Sequence, residues 1–499
     1  YRDKADSHVL EQHSDGADGE GQGCRVKRLS GWDAMLLYSE APNVHMHTIK
    51  AGIIDVSGFD GIPTIDVVRE ILRSRLSMLD PMRFQLVDIP FKFHHPMWRE
   101  HVDVDLEHHV RPLRLASPGG RREFDDAVGE IACTPLDRSK PLWMMYFVEG
   151  FADNVVGVII KVHHALADGV VSGNLIARAM GLQDPRDDDP RTYETDPPPS
   201  RSELMTAAVR DHVRQVGRIP GTVRYTALGI GRFIRSSRKL STLTRPFDPP
   251  PTFINHVLTP ERRFATATLE LDDIKETRRH LGVTINDVVL TISAGAARKL
   301  MLKYDGRAVG PVVVSVPVSI DSDPNRVWGN KFTTMAVAVP TQIGDPLERV
   351  HEVHAAAATA KETHQLLGPE LLGRWAAYFP RGFAERMSRR MAINEQQTKV
   401  LNFAVSNVAG PRERGEVAGA VVREIYSVGP LIAGSGLNIT VWSYVDQLSI
   451  SVLTDGATVG DPHEVTDAMI DDFRELRRAA GLSGDLTKLD DAMPRATTR

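Results

Sequence analysis

Residues 181–200, "GLQDPRDDDPRTYETDPPPS", carry acids and prolines with apolar side chains nearly absent. Such a stretch cannot bury enough hydrocarbon to order itself, and it reads as a linker exposed to water. It divides the chain into two folded parts, as 499 residues require, because one hydrophobic core seldom organises so long a chain and two domains of roughly 200 residues are the default. The expected layout is a disordered polar tail over 1–28, a first α/β domain over 29–180, and a linker region over 181–260. A second α/β domain over 261–482 and a polar tail over 483–499 complete it.

The two long parts share a pattern. In the first, "FDDAVGEIACTPL" has helical spacing and "NVVGVIIKV" reads as a buried strand. In the second, "FATATLEL", "PVVVSVPVSI", "KFTTMAVAVP" and "KVLNFAVSNV" read as strands, and "LNITVWSYVDQLSISVLTD" reads as a hairpin turning at "VDQ". A helix is expected over about Asp461 to Ala480. No period repeats along the chain.

Charge narrows the partners. With 42% hydrophobic and 25% charged residues and a net charge of −5, the composition is that of a soluble globular protein and lacks the dominant basic field that nucleic acid requires. Cys24 and Cys133 stand far apart, so neither a disulfide framework nor a cysteine metal site is expected, and a reducing, cytoplasmic setting fits. The first residues contain no apolar core of a secretory signal, and no run approaches the roughly 18 apolar residues of a spanning helix. If a membrane is met, it is met from one side. The segment for that is 201–245, which holds ten Arg or Lys against Glu203 and Asp211, interleaved with apolar residues at helical spacing in "LMTAAVRDHVRQV" and "LGIGRFIRSSRKL". A basic amphipathic segment suits an anionic lipid surface; the alternative is a solvated helix packed across two domains.

Histidines occur in four clusters: His45 with His47, His94-His95, His108-His109 and His163-His164. None has the helical or cysteine-bearing spacing of a metal site, and the first three are read as surface or loop residues. The fourth follows the strand "VVGVIIKV" directly, where a strand end and a turn hold a side chain rigidly at a sheet edge. His164 stands four residues before Asp168, and Gly169 permits a positive φ or a close backbone approach. A histidine so held suits general base catalysis, since its pKa lies near neutrality. Two structural readings stand beside this: Asp168 as N-cap of "GVVSGNLIARAM", and the histidines as hydrogen-bonded core.

"HHALADG" resembles the His-His-x-x-x-Asp-Gly signature of the acyl-CoA-dependent acyltransferases, a superfamily that includes peptide-synthetase condensation domains and the bacterial wax ester synthase/diacylglycerol acyltransferases. Five further stretches resemble the latter family in order: "LSGWDAMLLYSEAPNVHMHT", "PLW" at Pro141, Leu142 and Trp143, "GVTINDVVL" with Asn286 and Asp287, "SNVAGP" at 406–411 and "GLNIT" at 436–440. The likeness spans about residues 29 to 480. Two departures, Met144 after Pro-Leu-Trp and Ala409 where proline is usual, bear on acceptor preference.

The resemblance implies an α/β fold of two similar chloramphenicol acetyltransferase-like domains, each a mixed sheet flanked by helices, with the active-site channel between them. It implies His164 as general base, His163 in support and Asp168 organising the loop beside an arginine. Pro141, Leu142, Trp143, Asn286, Asp287 and Gly169 become structural or channel residues. On physical grounds Pro-Leu-Trp is a packing element. Thr284 and Asp287 form a capping box with Asn286 in the first turn. The implied reaction moves a long-chain acyl group from acyl-CoA to a diacylglycerol or a long-chain alcohol, with no acyl-enzyme, metal or cofactor, acyl-CoA being a substrate. It places the enzyme peripherally on the inner face of the membrane or on lipid droplets. Two rivals remain: a condensation-type enzyme acting on carrier-protein thioesters, and a non-catalytic lipid-droplet-binding protein.

Overall fold

A computed structural model describes residues 26–151, 154–182, 195–237, 249–321, 323, 325–394 and 401–487. The tail expected over 1–28 is corrected at its end, since Val26–Arg28 pairs as a strand with Met97–Arg99; the rest of it, the acidic centre of the linker at 183–194, residues 238–248 and the end beyond 487 lie outside these residues.

Two six-stranded mixed sheets form the frame. The first runs in the order Glu416–Val417, Ala420–Val428, His47–Asp55, Val155–His163, Trp143–Glu149, Val110–Arg114. The second runs Phe332–Val339, Val312–Ser319, Phe403–Ala409, Leu437–Tyr444, Gln447–Asp455, Arg262–Glu270. The strand-like patterns of the sequence become these strands, and the hairpin turns at Val445-Asp446. A small sheet of Val26–Arg28, Met97–Arg99 and Gln85–Val87 flanks the first unit.

Ala420–Val428 lies late in the chain yet pairs antiparallel with His47–Asp55 in the first sheet. The two units are therefore interlaced rather than sequential. Helix Arg121–Ala132 packs between the first sheet and strand Arg262–Glu270 of the second. There Arg121 bonds Glu424 at 2.8 Å and the Tyr426 hydroxyl at 2.6 Å, and the Asp125 carboxylate accepts from Thr266. Behind the second sheet, helices Ile285–Tyr304 and His463–Ala479 close the larger core with Val289, Ile292, Met469 and Phe473.

Of the basic segment 201–245 the described part forms one helix, Arg201–Ser237, that joins the two stretches of helical spacing; 238–245 lie outside the described residues. Pro220 sits inside it without ending it, since Thr222 and Gly229 still seat the following turns against the protein. Asp211 anchors its buried face, paired with Arg28 at 2.8 Å and His94 at 3.0 Å.

Candidate active site

Strand Val155–His163 carries the signature out of the centre of the first sheet. The apolar run predicts this burial, and the hydrogen-bonded neighbours on both sides supply it. His163 pairs with His47 in register, and its N–H donates to the Leu142 carbonyl at 2.9 Å. Its ring lies on the His47 face of the sheet. The Ala165 N–H donates to His163 Nδ1 at 3.0 Å, so the neutral ring carries its proton on Nε2, 3.3 Å from Glu40 Oε1. His47 Nε2 approaches the same oxygen at 3.3 Å, and Arg138 holds the other at 2.6 Å. Burial alone would raise the Glu40 pKa; His163 and then His47 overcome it and hold the carboxyl well below the usual range.

His164 turns away into a different setting. Its N–H donates to Met46 O at 2.7 Å, and its ring stacks on Phe332 of the second sheet, centroids 5.5 Å apart. Nδ1 is buried with no hydrogen-bond partner among the described residues. Burial drives its pKa down to about 4, opposed by its own backbone carbonyl and by Asp168. The ring is therefore neutral at physiological pH and free to accept a proton.

The turn that follows is clamped from the second unit. Asp168 caps helix Gly169–Ala179, accepting from the Val171 N–H at 3.0 Å, as the capping reading expects. Its other oxygen accepts from Arg326 Nη2 at 2.6 Å and from the Lys331 N–H at 2.9 Å. Arg326 also pairs with Asp321, and the Gly329 N–H donates to Leu166 O at 2.9 Å. Asn330 Nδ2 bridges the His164 carbonyl and Asp33 Oδ1, each at 2.7 Å. Burial lifts the Asp33 carboxyl to about 6. Gly169 is a close approach rather than a positive-φ residue: a Cβ there would meet Val408 at 3.0 Å.

The remaining predicted residues divide. Pro141, Leu142 and Trp143 brace the signature strand; Trp143 is buried, donates to Met82 O at 2.7 Å and stacks on His109. Asp287 and Thr284 form the expected capping box, and Asp287 also meets His354 at 2.8 Å. No hydrogen bond or ion pair joins Asn286 or Asp287 to the signature loop among the described residues. The other histidine clusters are corrected as to surface placement: His45, His47, His94, His95 and His109 are buried, although His45, His94 and His95 lie in loops as expected. They complete networks that link distant segments, such as Tyr38 with His95 Nδ1 at 2.8 Å, which local sequence does not display. Among the described residues no three potential metal ligands converge.

The sequence reading missed Arg326, Asn330, Glu40 and Asp33. One signal was available. The stretch "DSDPNRVWGNK" between two strand patterns is too long for a hairpin turn, and loops of that length in compact domains are often functional.

Comparison with known proteins fits this geometry. The family model of the wax ester synthase/diacylglycerol acyltransferase catalytic domain matches residues 29–289, and that of the C-terminal domain matches residues 328–477. The chain belongs to this family. A Mycobacterium tuberculosis protein provisionally named a diacylglycerol O-acyltransferase is 61% identical over 472 residues, covering 94% of this chain and 100% of its own. A second from the same organism, with the same provisional name, is 32% identical over 455 residues, covering 90% of each chain. The solved wax ester synthase/diacylglycerol acyltransferase from Marinobacter aquaeolei superposes with a TM-score of 0.62 at 24% identity, covering 91% of this chain and 100% of that one. The starter condensation domain of rhizomide synthetase, a mutant solved with C8-CoA, gives 0.53 at 14% identity over 94% and 97%. Like these structures, the acyltransferase has the two-unit chloramphenicol acetyltransferase-like fold.

Proposed function

We propose that this acyltransferase moves a long-chain acyl group from acyl-CoA to the hydroxyl of a diacylglycerol, a long-chain alcohol, or both, with His164 as general base. The observation that carries this is the half-buried, neutral His164 ring, held between the two units by a loop that the second unit clamps. As the acceptor oxygen attacks the thioester carbon, its proton passes to the imidazole and the carbonyl π pair moves onto oxygen. Collapse of that tetrahedral species breaks the C–S bond, and the imidazolium returns its proton to the departing sulfur. No acyl-enzyme forms. The thioester is already activated, so proximity and proton transfer are the protein's main contributions. The C8-CoA complex of the related fold supports an acyl-CoA donor. Asp168 organises the loop, and Glu40 fixes His163 as a positioning residue.

The test is CoA release from palmitoyl-CoA with diacylglycerol or hexadecanol as acceptor. Wild type is expected to turn over and His164→Ala to lose about 10³-fold or more, on the order of a lost general base and the proximity it completes. Full activity in a folded His164→Ala protein would overturn the assignment. Turnover of carrier-bound acyl groups alone would favour the condensation-type reading; droplet coating without CoA release would favour the non-catalytic one.

We further propose that helix Arg201–Ser237 rests on the cytoplasmic face of an anionic membrane or on a lipid droplet. No helix among the described residues is long and apolar enough to cross a membrane. Opposite its seated face the helix exposes a second apolar stripe, Val209, Val213, Val216, Val223, Ile230 and Ile234, at three- and four-residue spacings or their sum. Arginines flank it, and no Asp or Glu occurs from His212 to Ser237. Two copies pairing along this stripe would oppose like charges, whereas anionic lipid complements them. Val213→Asp with Val216→Asp is expected to abolish flotation with anionic vesicles while leaving turnover of micellar substrate intact; unchanged flotation would refute the docking face.

A further inference from the structure

On the face of the first sheet opposite the His163 ring, a cavity of about 210 Å3 runs between the strands and helices Ile65–Arg75 and Gly169–Ala179. Its wall is almost entirely hydrocarbon, with Ile54, Phe147, Val158, Ile160, Ile71 and Ile176 among the lining residues. It follows strand His47–Asp55 from Lys50 to Val56, a rise of about 20 Å. No carboxylate lines it. Two cations do. Arg75 donates its guanidinium to the Ala179 carbonyl. Lys50, 7% exposed, sets its ammonium 5.9 Å from the centre of the Trp442 ring but has neither a hydrogen-bond acceptor nor an ion-pair partner among the described residues.

A buried amine costs folding stability, and one whose contact is a ring face keeps its N–H donors unused, which calls for an acceptor in a ligand. Its location names the ligand. Lys50 pairs in register with Ile160 on the strand that ends at His163, while the cavity's far end lies at Phe59, Pro63 and Val417. The charge of Lys50 bears on His164, and the field of Asp168 supports the ammonium. Burial drives the amine's pKa down to about 7, so a developing negative charge beside it would draw it fully into the ammonium form.

We propose that the cavity houses the linear hydrocarbon chain of the acyl donor and that Lys50 lies at its carbonyl end, donating a hydrogen bond to the thioester oxygen as negative charge gathers there. This rests on the acyl-transfer reading above. The proton stays on Lys50 throughout; the electron pair that arrives on the oxygen returns when the C–S bond breaks. An apolar tube ending in an ammonium would recognise a free fatty acid by the same chemistry, so the test separates the two.

Three measurements on the full chain decide it, with Lys50→Met as the main variant. The substitution removes a buried ammonium that has no hydrogen-bond acceptor among the described residues, so its thermal midpoint is expected to equal or exceed that of wild type. Its kcat with palmitoyl-CoA is expected to fall about 100-fold, the scale of a lost oxyanion donor, with KM nearly unchanged. Gly52→Leu is the second variant. A Cβ at Gly52 finds its nearest neighbour at 3.7 Å, so the larger side chain enters the cavity without a backbone clash. It is expected to lower kcat/KM for palmitoyl-CoA at least tenfold relative to octanoyl-CoA, the loss of one to two kcal/mol of chain burial. An active wild type with unchanged kcat in Lys50→Met, or an unchanged chain-length ratio in Gly52→Leu, would overturn the inference. Weakened palmitate binding in Lys50→Met with kcat intact would also overturn it, assigning the cavity to free fatty acid. An inactive wild type would instead remove the acyl-transfer reading itself.

Discussion

His163 and His164 are neighbours in the chain, yet they project into regions built on opposite principles. On the His163 face Nδ1 of the ring accepts from the Ala165 N–H and Nε2 lies 3.3 Å from Glu40, which bridges it to His47 and Arg138, and the carboxylate and its partners are all supplied by the first unit. On the His164 face the ring is stacked on Phe332 and leaves Nδ1 without a hydrogen-bond partner among the described residues, while the cavity beyond holds Lys50, whose ammonium has no hydrogen-bond acceptor there. A network whose charges are paired within the protein fixes geometry and offers little to a reactant. The unsaturated face carries the cost of desolvation and keeps its valences for one.

The contrast can be broken most sharply at Arg326. Arg326→Met leaves the buried Asp168 with only main-chain donors, and breaking such a pair is expected to cost about 3–5 kcal/mol. The loosened loop is expected to lower kcat about 100-fold, as a misplacement near 1 Å does. Urea unfolding and steady-state kinetics check both; wild-type kcat would detach the clamp from catalysis. Glu40→Gln probes the other face. It keeps the shape but removes the charge that Arg138, His163 and His47 share, and is expected to cost about 1–3 kcal/mol with little change in kcat. A loss in kcat larger than the loss in stability would give His163 a role in the reaction itself.

A smaller effect, reached by pH, spans both faces. His47, His95, His109 and His164 are each pushed by burial to about 4, so they remain neutral in the folded protein while the unfolded chain takes up protons below 6.5. Stability is therefore present above 6.5 and lost as pH falls toward 4. Asp33 and Asp472, raised to about 6 by burial, take up protons in the folded state first and oppose two of the four. The net is about two protons, or roughly 3 kcal/mol per pH unit between 6 and 4. Below 6 the thermal midpoint should fall steeply, beyond the shallower slope that Lys50 and Lys161, lowered by burial to about 7 and about 8, give above neutrality; a flat profile from pH 6 to 4.5 would mean that these rings are already charged in the folded state.

Much of the frame was legible because its signals are local. The apolar run before His163, the Thr284–Asp287 capping box and the alternation around "VDQ" each depend on neighbours within a few residues, and each forms as expected. Asp168 as a helix cap was legible for the same reason. The Arg326 and Asn330 clamp was not, because it closes across more than 150 residues and "NRVWGN" carries no periodicity that points back to the loop. The buried histidines escaped likewise. An imidazole in "HMHT" reads as polar until Glu40 and His163 are seen to enclose it.

Strand Ala420–Val428 carries a consequence for how the protein is made. Its partner His47–Asp55 emerges from the ribosome more than 360 residues earlier and waits with one edge open until that strand arrives. Until then Val155–His163 can cover only one side. An exposed edge of this kind pairs readily with other chains, so nascent copies need shelter through most of synthesis. The first unit alone is a template awaiting its last strand, and no cut after the linker leaves two self-sufficient halves.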